Sequence, residues 1–117
     1  MATFNKIILM GNLTRDPEIR YNPSGKAVAS FGIAVNSKQG GQDKADFFDV
    51  IAWEKTAELC SQYLNKGDSA LIEGKLTQRR WETDDGQKRN KVEIVAFNVQ
   101  FMGKRQSESE DEGDIPF

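Results

Sequence analysis

Two segments of this sequence place aromatic side chains on the face of a predicted β-strand that points away from the core. In residues 46–53 (DFFDVIAW), the two-residue period of a β-strand places Phe47 and Trp53 on one face, while Phe48, Val50 and Ala52 point to the other. A flat aromatic face can stack against any nucleic-acid base, whatever its identity. The segment therefore predicts a base-stacking surface on one side of a strand.

A second segment places cations beside an aromatic residue. Within residues 68–82, the same period puts Lys75, Thr77, Arg79 and Trp81 on one face of a strand. Phosphates of an unpaired strand need such a track of positive charge. The predicted stacking residues are Phe47, Trp53 and Trp81, and the predicted phosphate contacts are Lys38, Lys44, Lys75, Arg79, Arg80, Lys88, Arg89 and Lys91.

Each of these residues also has a structural interpretation. A tryptophan beside a helix start, such as Trp53, can serve as a lid on the barrel, and Phe47 can be a packing residue. Trp81 favours an exposed role, because it lies in the charged run Arg79-Arg80-Trp81-Glu82. A single lysine is more often a solvated surface residue, so the clustering of cations with aromatics is the informative pattern.

The composition argues for binding rather than catalysis. The 117 residues suit one domain, and the chain has no histidine and one cysteine, Cys60. These residues offer no zinc-binding cluster, no internal disulfide and no histidine acid or base, so we expect no cofactor and no metal. The N-terminus lacks a signal-peptide pattern, and a cytoplasmic location is expected. Cys60 is predicted to pack a helix against the core.

The charge divides into two parts of opposite sign. All 16 Lys and Arg lie at or before Arg105, and residues 107–117 hold five of the 18 acids, so residues 1–106 carry +3 and residues 107–117 carry −5. Such asymmetry predicts a basic body and an acidic tail with different partners. We therefore expect residues 1–103 to form the binding domain and residues 104–117 to form a short tail that is disordered in the free protein.

Hydrophobic patterning predicts an all-β domain with one helix. The Asp-Gly turn in residues 83–87 predicts a projecting hairpin of the last two strands, and residues 37–44 are predicted to be a mobile loop. The order of elements matches an OB-fold, a five-stranded antiparallel Greek-key barrel. The predicted strands are residues 4–13, 26–36, 46–53, 68–82 and 88–102, with a short strand at 18–21 and the helix at 55–64.

The tail ends in an apolar tip, Asp114-Ile115-Pro116-Phe117. A tail that only solubilises the chain does not need large apolar groups at its end. An apolar hook beside a terminal carboxylate suits a hydrophobic pocket with a basic rim on a partner protein. The tip is thus a predicted protein-interaction site, and its acids could also compete with DNA for the cations of the barrel.

Several short motifs make this chain similar to the bacterial single-stranded DNA-binding protein family. They span about Asn5 to Gly103 and resume at the tip; they are residues 12–18, Arg20-Tyr21, Gly25, Val28, residues 34–36, 63–67 and 72–76, and residues 114–117. The resemblance implies an OB-fold homotetramer in the cytoplasm, at the bacterial nucleoid, that wraps unpaired DNA. It also implies stacking by Phe47, Trp53 and Trp81, and recruitment of replication, recombination and repair proteins by the tip.

The sequence departs from that family in two places. Many members carry a further stacking aromatic where this chain has Ser37-Lys38-Gln39, so a base contact is lost there or replaced by Lys38. Members also usually have a long linker before the tip, whereas here the acids begin almost where the barrel ends. A short tether reduces reach and can alter cooperativity. A phage-, plasmid- or organelle-encoded relative would also fit the sequence.

Three other functions compete with single-stranded DNA binding. An OB-fold protein scaffold would use the tail and bind protein through the barrel, but it would not need a cationic aromatic face. RNA binding is a close variant, because stacking and phosphate contacts distinguish RNA from DNA poorly. The enzyme alternative rests on Asp84-Asp85 as a metal site. Because Gly86 follows them at a hairpin tip, these acids are better explained as turn residues.

Overall fold

A computed structural model describes residues 1–103 as one β-barrel with one helix. The elements are β1 (Ile7–Leu13), β2 (Glu18–Tyr21), β3 (Ala27–Gln39), β4 (Gln42–Trp53), α1 (Glu54–Tyr63), β5 (Ser69–Glu82) and β6 (Lys88–Gly103). Within these residues, no helix has the length and apolar character needed to cross a membrane.

The strands form one sheet that closes on itself. Their order is β1-β5-β6-β4-β3-β2, and β1 also pairs with β3, which closes the barrel. The helix follows β4 and precedes β5, as in an OB-fold, so the predicted fold class is confirmed. The short strand predicted at residues 18–21 is present as β2 and pairs with β3. One detail goes beyond the prediction: β4 pairs with β6 in parallel, while the other pairs are antiparallel.

The core is built from one face of each long strand. Phe31, Ile33, Val50, Ile72 and Ile94 are fully buried there, as the two-residue period requires when one side of a sheet faces the interior. Helix α1 covers this core with its own buried residues, Ala57 and Cys60. Burial raises the pKa of the Cys60 thiol to about 11, so the side chain is a neutral packing group at neutral pH.

The predicted mobile loop at residues 37–44 is wrong. Strands β3 and β4 continue through it to the pair Gln39–Gln42, and the connection is a tight turn at Gly40 and Gly41. Both glycines have positive φ, which suits a two-residue hairpin turn. The side chains of residues 37–44 are exposed, so the sequence shows no alternation of apolar residues there. The two strands are extended by backbone hydrogen bonds between them.

The second long hairpin joins β5 to β6 where it was predicted. The Thr83 N–H donates to the Gln87 carbonyl, and Gly86 takes a positive φ at the tip. The Asp85 carboxylate accepts hydrogen bonds from the Thr83 hydroxyl and the Gln87 N–H. The hydrogen bond from Thr83 is the main cause that lowers the pKa of Asp85, so this acid is held as an ionised turn residue.

A β-bulge interrupts the β5–β6 ladder near its middle. Glu73 pairs with Asn98 and Gly74 pairs with Ala96, so Phe97 is the extra residue and it lies on β6. Because the insertion is on β6, the alternation of side chains along β5 is unbroken. Lys75, which follows Gly74, therefore stays on the same face of β5 as Trp81.

Candidate nucleic-acid interface

The outer face of β4 presents the aromatic residues predicted for stacking. Phe47 is 69% exposed and Trp53 is 42% exposed, whereas Val50, on the opposite face, is fully buried. Asp49 and Ile51 lie between the two aromatics on the outer face. Trp53 also stands directly before α1, yet its exposure leaves a large part of the ring free to make further contacts.

On their shared outer face, β5 and β6 form cross-strand pairs in which most side chains are charged, polar or aromatic. Successive pairs on this face are Lys75–Val95, Thr77–Glu93, Arg79–Lys91 and Trp81–Arg89. The Arg79 guanidinium carbon lies 4.9 Å from the centre of the Trp81 ring, which is within the range of a cation–π contact. The predicted grouping of Lys75, Arg79 and Trp81 on one face of β5 is present in the structure.

A groove of about 480 Å³ runs across this outer face. It joins β2 and β3 on one side to β5 and β6 on the other, with β4 in its floor. Its lining is Arg15, Glu18, Arg20, Tyr21, Asn22, Val28, Ser30, Asp49, Val50, Ile51, Arg79, Lys91 and Glu93. Four of these side chains are cationic, and the floor of the groove is partly apolar.

Acids inside the groove hold its cations in place. Lys91 Nζ lies 2.7 Å from one oxygen of the Asp49 carboxylate, and Arg15 Nη1 lies 3.9 Å from the other. Arg15 reaches Asp49 across Gly32, where an added Cβ would contact Thr14 and come within 3.1 Å of Arg15 Nη1. Because these pairs are partly exposed, they fix side-chain positions more than they add stability.

The remaining predicted cations divide between the two faces. Strand register places Lys38 on the outer face with Phe47, and it places Arg89 opposite Trp81. By the same alternation, Lys44, Arg80 and Lys88 lie on the opposite faces of their hairpins. The first group therefore lies on the same face as the groove. The second group could contact only a nucleic-acid chain that bends around the edge of a hairpin.

Three cationic or aromatic residues of the groove were absent from the predicted site. Arg15 and Arg20 supply cations at its rim, and Tyr21, 62% exposed, supplies another aromatic ring. They lie before the first glycine-containing turn, far along the chain from Trp81. Their residue types were a usable signal, but Arg20 and Tyr21 reach the groove only through the pairing of β2 with β3, and Arg15 reaches it from the connection between β1 and β2.

In residues 1–103, no group of three or more acidic or cysteine side chains is placed to hold a metal ion. Asp85 is engaged in its own turn, as described above. The predicted tip, Asp114 to Phe117, and the predicted acidic tail lie outside the described residues.

The barrel topology and the groove together define an OB-fold protein whose outer face combines exposed aromatic rings with cations. A family model described as the single-strand binding protein family matches residues 4–102, and the chain belongs to that family.

Relatives with the name single-stranded DNA-binding protein match most of the chain. The protein of Treponema pallidum is 44% identical over 88% of this chain and 60% of its own length. That of Thermotoga maritima is 45% identical over 99% of this chain and 89% of its own. This chain thus spans less than two thirds of the first relative and most of the second.

A solved structure has the same fold. The Plasmodium falciparum SSB, described as a complex with ssDNA, superimposes with a TM-score of 0.80 at 26% sequence identity. The match covers 87% of this chain and 97% of the other.

Proposed function

We propose that this protein binds single-stranded DNA without sequence preference and performs no catalysis. The observation that carries the proposal is the shared outer face: Trp53, Phe47 and Trp81 are all exposed on the side of the sheet that carries Arg79 and Lys91. Relatives named for single-stranded DNA binding, and the ssDNA complex of a protein with the same fold, support this assignment.

The geometry suggests how an unpaired strand is held. Bases stack on the exposed rings, each contributing about 1–3 kcal/mol at a good platform, while the backbone follows the cations. Stacking uses the flat face of a base rather than its edge, so it discriminates poorly between sequences. Phosphates must compete with the Asp49 carboxylate for Lys91 and Arg15, so binding exchanges ion pairs within the protein for ion pairs to DNA.

The assembly and tail are further parts of the proposal. On β1, Ile8 and Met10 are exposed although apolar, which supports burial of this strand between subunits of a homotetramer. The tip at Asp114-Ile115-Pro116-Phe117 would recruit replication, recombination and repair proteins, and the protein would act in the cytoplasm, at the bacterial nucleoid. These assignments rest on the sequence and on the family resemblance.

Titration of the full chain with labelled oligothymidine over a series of salt concentrations tests the function. We expect tryptophan quenching on binding, and log affinity should fall with log salt by about 0.7 per phosphate contacted. Mixed-sequence single strands should bind comparably, whereas duplex DNA of the same length should bind far more weakly.

Two other outcomes would each support a competing function. Equal affinity for oligouridine would extend the function to RNA. If no strand binds in either fluorescence or gel-shift assays, the DNA-binding proposal is wrong and the scaffold function takes its place.

A further inference from the structure

One acid in the groove has no evident use in binding a polyanion. Glu93 is only 7% exposed, on the outer face of β6, in a groove that we assign to phosphates. Burying a carboxylate costs free energy unless a cation or hydrogen-bond donors compensate it, and its charge repels phosphate. A structural role that requires the charge would explain its position.

The partner of Glu93 is the cation that covers Trp81. Arg79 Nε lies 3.4 Å from Glu93 Oε2, and the guanidinium of the same arginine lies 4.9 Å from the centre of the Trp81 ring. Strand register makes this a diagonal contact, because Glu93 is paired with Thr77 and Arg79 with Lys91. Arg79 is thus held between a buried carboxylate and an aromatic face, although its side chain is 56% exposed.

We propose that Glu93 is a positioning residue that fixes Arg79 over one face of Trp81, so that a DNA base stacks on the opposite face. The proposal rests on the function proposed above. It assigns an arginine–tryptophan–base sandwich in which the two nitrogens at the end of the guanidinium stay available to a phosphate. Without Glu93, the flexible arginine would leave the ring, and the base would lose a prearranged platform.

The sequence offers a clean optical test, because the chain has two tryptophans. In a Trp53→Phe background, Trp81 alone reports its surroundings. Glu93→Gln keeps the shape of the side chain and removes its charge. Asp49→Asn is the matched control, since it also removes one acid from the groove, but Asp49 contacts Lys91 and Arg15 rather than Arg79.

The first measurement uses the free protein and does not depend on DNA. We expect Glu93→Gln to raise acrylamide quenching of Trp81, because the ring face that Arg79 covers becomes accessible. Arg79→Gln should raise it equally, the double variant should add nothing, and Asp49→Asn should leave it unchanged. Equal quenching in Glu93→Gln and its parent would overturn the positioning role.

The second measurement is the affinity for oligothymidine at one salt concentration. Removing an acid lowers the repulsion of a polyanion in both variants, and each variant also releases the cations that its acid contacts. Only Glu93→Gln releases the arginine that covers Trp81, so the comparison reports the loss of that one contact. Glu93→Gln should bind about two- to fivefold more weakly than Asp49→Asn, the range expected for one exposed cation–π contact. Equal affinities of the two variants would show that Glu93 acts by charge alone and would contradict the proposal.

The two measurements separate the inference from the function on which it rests. If no variant binds DNA but Glu93→Gln still exposes Trp81, the proposed function fails while the positioning contact stands. If the parent binds DNA and Trp81 quenching is the same in all variants, the function stands and the positioning role fails. Circular dichroism of each variant checks that the barrel is intact before either comparison.

Discussion

Replacing both tryptophans with alanine is expected to weaken binding of oligothymidine about 30-fold or more. Each ring contributes about 1–3 kcal/mol when a base stacks on it, and 1.4 kcal/mol corresponds to a tenfold change in affinity. Trp53 and Trp81 are each a little over 40% exposed, so their removal takes away surface area rather than core. Anisotropy of a labelled strand measures the effect, because the variant has no tryptophan left to follow.

Phenylalanine at the same positions is the matched control. It keeps a flat ring, so the Trp53→Phe/Trp81→Phe protein should bind much closer to the unmodified chain than the alanine variant does. The loss in Trp81→Ala alone should be similar for thymidine, cytidine and mixed strands, since stacking is tolerant of sequence. Affinity of the double alanine variant within threefold of the parent would remove both tryptophans from the binding site.

Local sequence was enough to predict which faces carry the aromatics. Val50 is an apolar residue flanked at two-residue spacing by other apolar residues, and this pattern assigns one face of β4 to the core and leaves Phe47 and Trp53 outside. Trp81 follows two arginines, and burial of these residues would remove their charged groups from water. Alternation and charge are properties of neighbouring residues, so a single sequence displays them.

The composition of the groove depends on pairing between distant strands, which no local pattern records. Arg15 reaches Asp49, whose carboxylate Lys91 also contacts, only because β3 lies between the β1–β2 connection and β4. Glu93 looks like an ordinary surface acid in the sequence, and its burial follows from its place between β4 and β5. The parallel β4–β6 pair is likewise a consequence of barrel closure.

Gly74 supplies the second large effect, this time on stability. Gly74→Ala is expected to lower the free energy of unfolding by about 1–3 kcal/mol, or about 4–8 °C in melting temperature for each kcal/mol. A Cβ there would overlap the Val95 carbonyl oxygen and lie 2.9 Å from Ala96 Cα. Both are backbone atoms of β6, so no side chain can rotate away and the two strands must separate.

Thermal or urea unfolding at fixed protein concentration measures the change, with Lys75→Ala as the control. Lys75 is the next residue on the same strand and is exposed, so its truncation should change stability by less than about 0.5 kcal/mol. Stability of Gly74→Ala equal to that of the control would mean that β5 and β6 can move apart here at little cost. On the same strand, Thr77 pairs with Glu93 and Arg79 pairs with Lys91, a few residues after Gly74, so such freedom would also loosen the outer face on which stacking depends.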